Sequence, residues 1–327
     1  MLQSHPLLAW VVLLVGFGVL AKSADSFVES SISLANRFRI PKLVIGLVLV
    51  SLATTMPEFA VSLMSALRGH PAIALGNAVG SIICNTGLGL AACALFSAAP
   101  VRVIPHVIKT SGGFLAAVAL LAFGFIAFDM SLSRLEGGVL VLLFAGYLWF
   151  LFRQHRTRRY DDDIDLEAAA GRLHVSRPRL ALFFALGLAG ILVSSKLLIL
   201  SATAIARSFH IPEAAIALTL VAFGTSIPEI ATCVAAARKK QGALAVGNIL
   251  GANIMNICWV AGVSSLAHPL TLPAHELLFM FPAMLVILGA ALLMLRADYR
   301  LTRPQGAALL ALYGAFVASF FFVFRAS

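Results

Sequence analysis

Long apolar runs alternate along this chain with short polar breaks. Ten runs lie near residues 7–28, 43–67, 71–97, 103–128, 132–152, 180–206, 212–237, 242–267, 276–295 and 304–324. Each is about 20 residues or longer, the length an α-helix needs to cross hydrocarbon. The residue-by-residue alternation of a membrane β-barrel is absent. The pattern predicts an all-α polytopic membrane protein of ten transmembrane helices. The opening sequence, MLQSHPLLAW, lacks the basic segment of a cleaved signal peptide, so the first run is expected to be a retained span.

Within this pattern one stretch is written twice. Residues 40–85 align with 211–256 at a constant offset of 171, without a gap, and 18 of the 46 positions are identical. They include Thr54/Thr225, Pro57/Pro228, Glu58/Glu229, Gly76/Gly247, Asn77/Asn248, Gly80/Gly251 and Asn85/Asn256. Five runs per copy is an odd number, so the two copies are expected to cross the membrane in opposite senses. Inverted repeats with interrupted helices are a recurrent plan of secondary transporters, with the substrate held where the repeats meet. The predicted organisation is a first transmembrane repeat over 1–152, a cytoplasmic linker over 153–179 and a second repeat over 180–327.

Composition agrees: 61% of residues are hydrophobic, 12% are charged and mean hydropathy is +0.98. A soluble chain carries roughly twice that charged fraction. The net charge of +10 suggests nucleic acid until its distribution is read. With the ten runs as drawn, alternate loops on one side hold 18 of the 24 Lys and Arg, including Arg37, Arg102, Lys109, Arg153, Lys239, Arg296 and Arg303. The opposite side holds Arg68, Arg134, Arg207 and Arg325. Short basic loops stay in the cytoplasm, so the first side is inside and both termini are extracytoplasmic. The expected location is the cell membrane, with the bilayer and inorganic cations as partners, no nucleic acid and no obligate protein partner.

The remaining polar features have plainer readings. Asp161, Asp162, Asp163 and Asp165 lack the glycine and closing glutamate of an EF-hand loop and read as solvated linker. Cys84, Cys93, Cys233 and Cys258 form no CxxC pair and read as small buried packing residues. Asp25 and Lys196 occupy equivalent repeat positions and read as snorkelling or paired charges. Glu29 and Glu213 read as loop or entrance residues, and His70, His210 and His268 as interfacial ones.

The chemistry sits in the repeated motif. An ionisable group at membrane depth is expensive and marks an ion or proton pathway; Glu58 and Glu229 are two such groups. Pro57 and Pro228 lack an N–H, which frees the carbonyls of Ala53 and Gly224. Thr54, Thr55, Thr225 and Ser226 add hydroxyl oxygens. Asn85 and Asn256, on the following helices, add amide oxygens. Such hard oxygen donors suit Ca²⁺, and two carboxylates balance one divalent or two monovalent cations.

These motifs resemble the α-repeats of the cation/Ca²⁺ exchanger superfamily, in particular the sodium/calcium exchanger membrane-region family and its bacterial branch. GTSIPE with GNILGANIMN is very close to the family pattern; ATTMPE with GNAVGSIICN is looser. The resemblance implies Na⁺- or H⁺-driven Ca²⁺ export by alternating access, with no cofactor beyond the transported ions. It implies that Glu58 and Glu229 ligate Ca²⁺ and that Thr54, Thr55, Thr225 and Ser226 contribute oxygens. It further implies that the carbonyls of Ser51 and Ala222 complete the ion sites and that Ser81, Asn85 and Asn256 line the cavity. Three departures stand out. Ala53 replaces a glycine and is expected to stiffen the first break. Ala252 replaces a serine, and Asn256 stands where some relatives carry an aspartate.

The expected function is therefore a Ca²⁺-exporting, Na⁺-coupled antiporter and not an enzyme. An H⁺-coupled antiporter and, less favoured, a passive cation channel are the alternatives. No Ser/His or paired-Asp arrangement for an intramembrane hydrolase is visible.

Overall fold

The computed structural model describes residues 6–38, 44–157, 176–208 and 213–324. Pro41, His210, Pro212, the acidic run at 161–165 and Arg325 lie outside the described residues. Among the described residues ten helical segments follow one another. They are α1 (Pro6–Phe38), α2 (Ile45–Thr54 and Met56–Leu67), α3 (Pro71–Phe96), α4 (Pro105–Asp129) and α5 (Arg134–Thr157), then α6 (Arg177–Ser208), α7 (Glu213–Arg238), α8 (Gly242–Ala267), α9 (Ala274–Asp298) and α10 (Arg303–Phe324). Seven of them are long and apolar enough to cross a bilayer alone, and the two pieces of α2 make an eighth. This is a multi-pass α-helical membrane protein.

α1 corrects one boundary. The apolar run stops near residue 28, but the helix continues to Phe38, so Glu29 is a helical residue and not a loop residue. Lys239, in the turn after α7, lies 2.7 Å from the Glu29 carboxylate and 3.6 Å from that of Asp25. That cation offsets two acids which would otherwise end the span. Lys196, at the equivalent position of α6, is exposed.

α3 and α8 form the centre; 83% of each apolar window is buried, against 22–28% for α1, α5 and α6. α1 and α6 pack chiefly on each other. Gly187 and Gly190 permit this, because a Cβ there would strike the backbone of Phe27 and the side chain of Ser23. α2 lies against α8, with Gly46 facing the Leu244 carbonyl and Gly251 facing that of Leu47. In the same way α7 lies against α3. A Cβ on Gly76 would meet nothing within 4 Å, so of the two GxxxG pairs the described close approach belongs to Gly251.

Two short antiparallel ladders tie the loops together. Val101–Arg102 (β1) pairs with Arg300–Leu301 (β4), and Ser131–Leu132 (β2) pairs with Leu270–Thr271 (β3). Both α2–α3 and α7–α8 turns contain a left-handed residue, Gly69 at φ 76° and Lys240 at φ 59°, again 171 apart. Glycine adopts that conformation freely; lysine does so at some strain.

The four cysteines are free and buried. Cys233 donates to the Ala245 carbonyl at 3.5 Å, and Tyr313 donates to Cys84 Sγ at 3.9 Å.

Candidate ion-binding site

The helix interruptions place the motif. α2 begins with a π-helical turn over Ile45–Val50, runs as α-helix over Ser51–Thr54, and bends by 50° at Thr55. Pro57 then stands in the first turn of Met56–Leu67, where its missing N–H removes no needed donor. Glu58 follows in that turn. α7 instead carries Pro228 inside one continuous helix. The 50° bend thus lies in the copy that carries Ala53, while the copy with Gly224 runs as one helix.

Glu58 and Glu229 are fully buried, as are Ser51, Thr54, Ser81, Asn85, Ser226 and Asn256, with Thr55 and Thr225 nearly so. The contacts cross between the copies. Thr55 Oγ1 donates to Glu229 Oε1 at 3.0 Å, and its equivalent Ser226 Oγ donates to Glu58 Oε1 at 3.4 Å. Among the described residues the second oxygens, Glu58 Oε2 and Glu229 Oε2, have no hydrogen-bond partner, and neither do the side-chain amides of Asn85 and Asn256. No ion pair among the described residues involves either glutamate.

Two residues that the sequence reading passed over hold the glutamates in place. Asn77 Nδ2 donates to the Glu58 carbonyl at 3.3 Å and to Ser62 Oγ at 3.0 Å. Asn248 Nδ2 donates to the Glu229 carbonyl, also at 3.3 Å. Their oxygens accept from the opposite copy: Thr225 Oγ1 donates to Asn77 Oδ1 at 3.3 Å, and Thr54 Oγ1 to Asn248 Oδ1 at 3.5 Å. Identity at both repeat positions was the available signal.

The symmetry fails at one hydroxyl. Ser81 Oγ lies 3.5 Å from Thr225 Oγ1, while Ala252 leaves the opposite copy without that oxygen. The Ser51 carbonyl accepts from Thr55 N–H at 2.8 Å and from Thr54 Oγ1 at 3.3 Å. Ala222 lies in α7, and its side-chain surroundings are outside the described residues. Asn85 and Asn256 each open a π-helical stretch, Asn85–Gly89 and Asn256–Ala261. Such bulges recur at functional positions in helices. Among the described residues no group of three His, Cys, Asp or Glu gathers. The charge available for a cation here is therefore two carboxylates, supplemented by neutral oxygens.

A buried carboxylate lacking a countercharge is costly, and two in one cluster repel. The arrangement is complementary to mobile positive charge. The family described as sodium/calcium exchanger protein matches residues 8–153 and 179–322, and the chain belongs to it. That family is one of membrane exchangers, of the cation/Ca²⁺ exchanger class. Among its relatives, the inner membrane protein YrbG of Escherichia coli (strain K12) is 37% identical, the match covering 80% of this chain and 81% of that one. The sodium/calcium exchanger MaX1 of Methanosarcina acetivorans is 32% identical over 96% and 99% of the two chains. A solved structure of the sodium-calcium exchanger NCX_Mj superposes with a TM-score of 0.79 at 29% identity, covering 95% of this chain and 98% of that one.

Proposed function

We propose that this protein is a secondary antiporter that exports Ca²⁺ in exchange for Na⁺, with both ions using the buried site around Glu58 and Glu229. The observation that carries the reading is the reciprocal pair of hydrogen bonds from Thr55 to Glu229 and from Ser226 to Glu58. Each carboxylate is held by one oxygen and offers the other. One Ca²⁺ or two Na⁺ neutralises the pair, so occupancy by one substrate excludes the other. Thr54, Thr225, Ser51, Ala222, Ser81, Asn85 and Asn256 are the proposed neutral contributors.

The proposed frame is ten spans in two inverted repeats, joined by a cytoplasmic linker over 153–179, with both termini outside. The ladders support it. β1–β4 joins two loops that the charge pattern assigns to the inside, and β2–β3 joins two assigned to the outside. Exchange of partners between copies (α2 with α8, α7 with α3) is what a pseudo-two-fold axis requires. α1 and α6, packed chiefly on each other, are the proposed moving unit that changes which side the site faces.

The test is ⁴⁵Ca²⁺ uptake into proteoliposomes loaded with Na⁺ and diluted into Na⁺-free buffer. Gradient-dependent accumulation that is lost in Glu58→Gln and Glu229→Gln establishes exchange and site together. Uptake driven by a pH gradient but not by Na⁺ keeps the site and assigns H⁺ coupling. Downhill flux without accumulation means a channel, and overturns the proposal.

A further inference from the structure

Beside the proposed site lies a polar contact that the repeat does not predict. Asn253 and Thr86 are each 1% exposed, and Asn253 Nδ2 donates to Thr86 Oγ1 at 2.8 Å. The bond joins α8 to α3, and so one copy of the repeat to the other. Asn253 Oδ1 has no hydrogen-bond partner among the described residues. Burying an amide that is only half satisfied is costly, so its presence asks for a reason.

The equivalent positions are apolar. At the offset of 171 the counterpart of Asn253 is Ile82 and that of Thr86 is Ile257. Both isoleucines are buried, and together with Asn256 and Leu132 they line a cavity of about 20 Å³. The fold therefore accepts two aliphatic side chains at the equivalent place between α3 and α8. Helix packing alone gives no reason for the amide and hydroxyl.

Their neighbours supply one. Thr86 directly follows Asn85 in the π-helical stretch Asn85–Gly89, and Asn253 stands one helical turn before Asn256, which opens the other stretch. The first stretch is closely seated: a Cβ on Gly87 would strike Tyr313 of α10, and one on Gly89 would press on Ile249 of α8. The Asn85 and Asn256 amides themselves have no hydrogen-bond partner among the described residues. Their side chains therefore do not fix the distance between the two stretches. The Asn253–Thr86 bond does.

We propose, resting on the exchange site read around Glu58 and Glu229, that Asn253 and Thr86 are positioning residues whose hydrogen bond sets the spacing of the Asn85 and Asn256 amides for Ca²⁺. Ca²⁺ takes about six to eight oxygens at once, and two carboxylates supply four at most. The neutral oxygens must then stand in register with the acids. A bond between α3 and α8 beside both amides keeps that register at a place where two apolar side chains would let it slip.

The experiment uses the purified full-length protein, in detergent and in proteoliposomes, with Ca²⁺ as the probe. Half-maximal Ca²⁺ is read from thermal stabilisation and from ⁴⁵Ca²⁺ uptake. Thr86→Val leaves the Asn253 amide unpaired, so the melting temperature falls and half-maximal Ca²⁺ rises about tenfold, the weight of one hydrogen bond. Asn253→Leu with Thr86→Val makes the pair apolar at similar volume, as at Ile82 and Ile257. Its melting temperature is expected to recover while half-maximal Ca²⁺ stays raised, and in uptake the change lies in KM and not in the maximal rate. Thr86→Ser keeps the hydroxyl and restores the Ca²⁺ response that Thr86→Val loses. If half-maximal Ca²⁺ in the double variant recovers along with stability, the pair is merely structural; that overturns the inference and leaves the exchange reading standing. Should the double variant stay unstable, Thr86→Val and Thr86→Ser decide, and equal half-maximal Ca²⁺ in these two overturns the inference as well. A wild type that neither binds nor transports Ca²⁺ overturns both readings.

Discussion

Thr55 and Glu229 come from opposite copies of the repeat, 174 residues apart, yet the Thr55 hydroxyl donates to the Glu229 carboxylate at 3.0 Å. The bond orients one carboxylate oxygen and leaves the other free. Ser226 treats Glu58 in the same way at 3.4 Å. A site built from such reciprocal bonds exists only when both copies are docked, and that condition sets what substitutions will do.

Glu58→Gln and Glu229→Gln are expected to separate stability from transport. In cation-free detergent each substitution relieves repulsion between buried acids, so the melting temperature holds or rises. Stabilisation by added Ca²⁺ disappears, because a divalent ion beside one carboxylate leaves buried charge uncompensated. The penalty is about 3 kcal/mol or more, or upward of about 100-fold in affinity. A melting titration with Ca²⁺ checks both halves.

The hydroxyl pair should respond unequally. Thr55→Val removes the shorter bond and Ser226→Ala the longer one, so Thr55→Val is expected to weaken Ca²⁺ activation of transport more. A hydrogen bond to a charged group contributes about 1.5–3 kcal/mol. Half-maximal Ca²⁺ should therefore rise about tenfold for Thr55→Val and less for Ser226→Ala. Equal shifts, or the reverse order, contradict the geometry.

Acid should slow the exchanger. Protonation neutralises a carboxylate and takes up a lone pair that a cation needs, so Ca²⁺ binding must release the proton. Apparent Ca²⁺ affinity is then expected to fall as pH drops from neutral towards about 5. Half-maximal Ca²⁺ in ⁴⁵Ca²⁺ uptake, measured across that window, is the readout. Glu58→Gln with Glu229→Gln should bind Ca²⁺ weakly at every pH.

Small residues at the α2–α8 contact are not interchangeable with alanine. A Cβ on Gly251 meets the Leu47 carbonyl and the Ser51 hydroxyl, while one on Gly76 meets open space. Gly251→Ala should cost about 1–3 kcal/mol through overpacking, with a lower melting temperature and weaker transport. Gly76→Ala should be near neutral. Thermal unfolding of the two variants side by side tests the prediction.

The Lys239 pairs link the turn after α7 to the proposed moving helix. Their side chains are 26–46% exposed, so each pair contributes about 1 kcal/mol or less. Glu29→Lys should change exchange rate with little loss of melting temperature. Glu29→Lys with Lys239→Glu should restore the rate. Failure of the reversed pair to recover would mean that Glu29 acts through something other than this contact.

Much of the candidate site was legible because polar residues are conspicuous in an apolar chain. Glu58, Glu229 and their hydroxyl neighbours stand out for that reason, and the offset of 171 links them. The function of Asn77 and Asn248 was not legible. They hold the glutamates through backbone carbonyls, which every residue has, so nothing in the pattern marks the acceptor. Nor was the length of α1: hydropathy falls at Asp25 and Glu29, but the helix continues where Lys239, remote in sequence, offsets them.

By itself the sequence determined the membrane environment, the repeat, the uneven distribution of charge along the chain and the residue types at the candidate site. These follow from hydrophobic transfer and the high cost of ions in hydrocarbon, both of which act on local segments. Only the tertiary structure decided which copy holds which carboxylate, which oxygens are left unpartnered, and that Gly251 carries a close contact while Gly76 does not. Those depend on how α2, α3, α7 and α8 pack, and hydrogen bonds a few ångströms long are set by that docking and not by spacing along the chain.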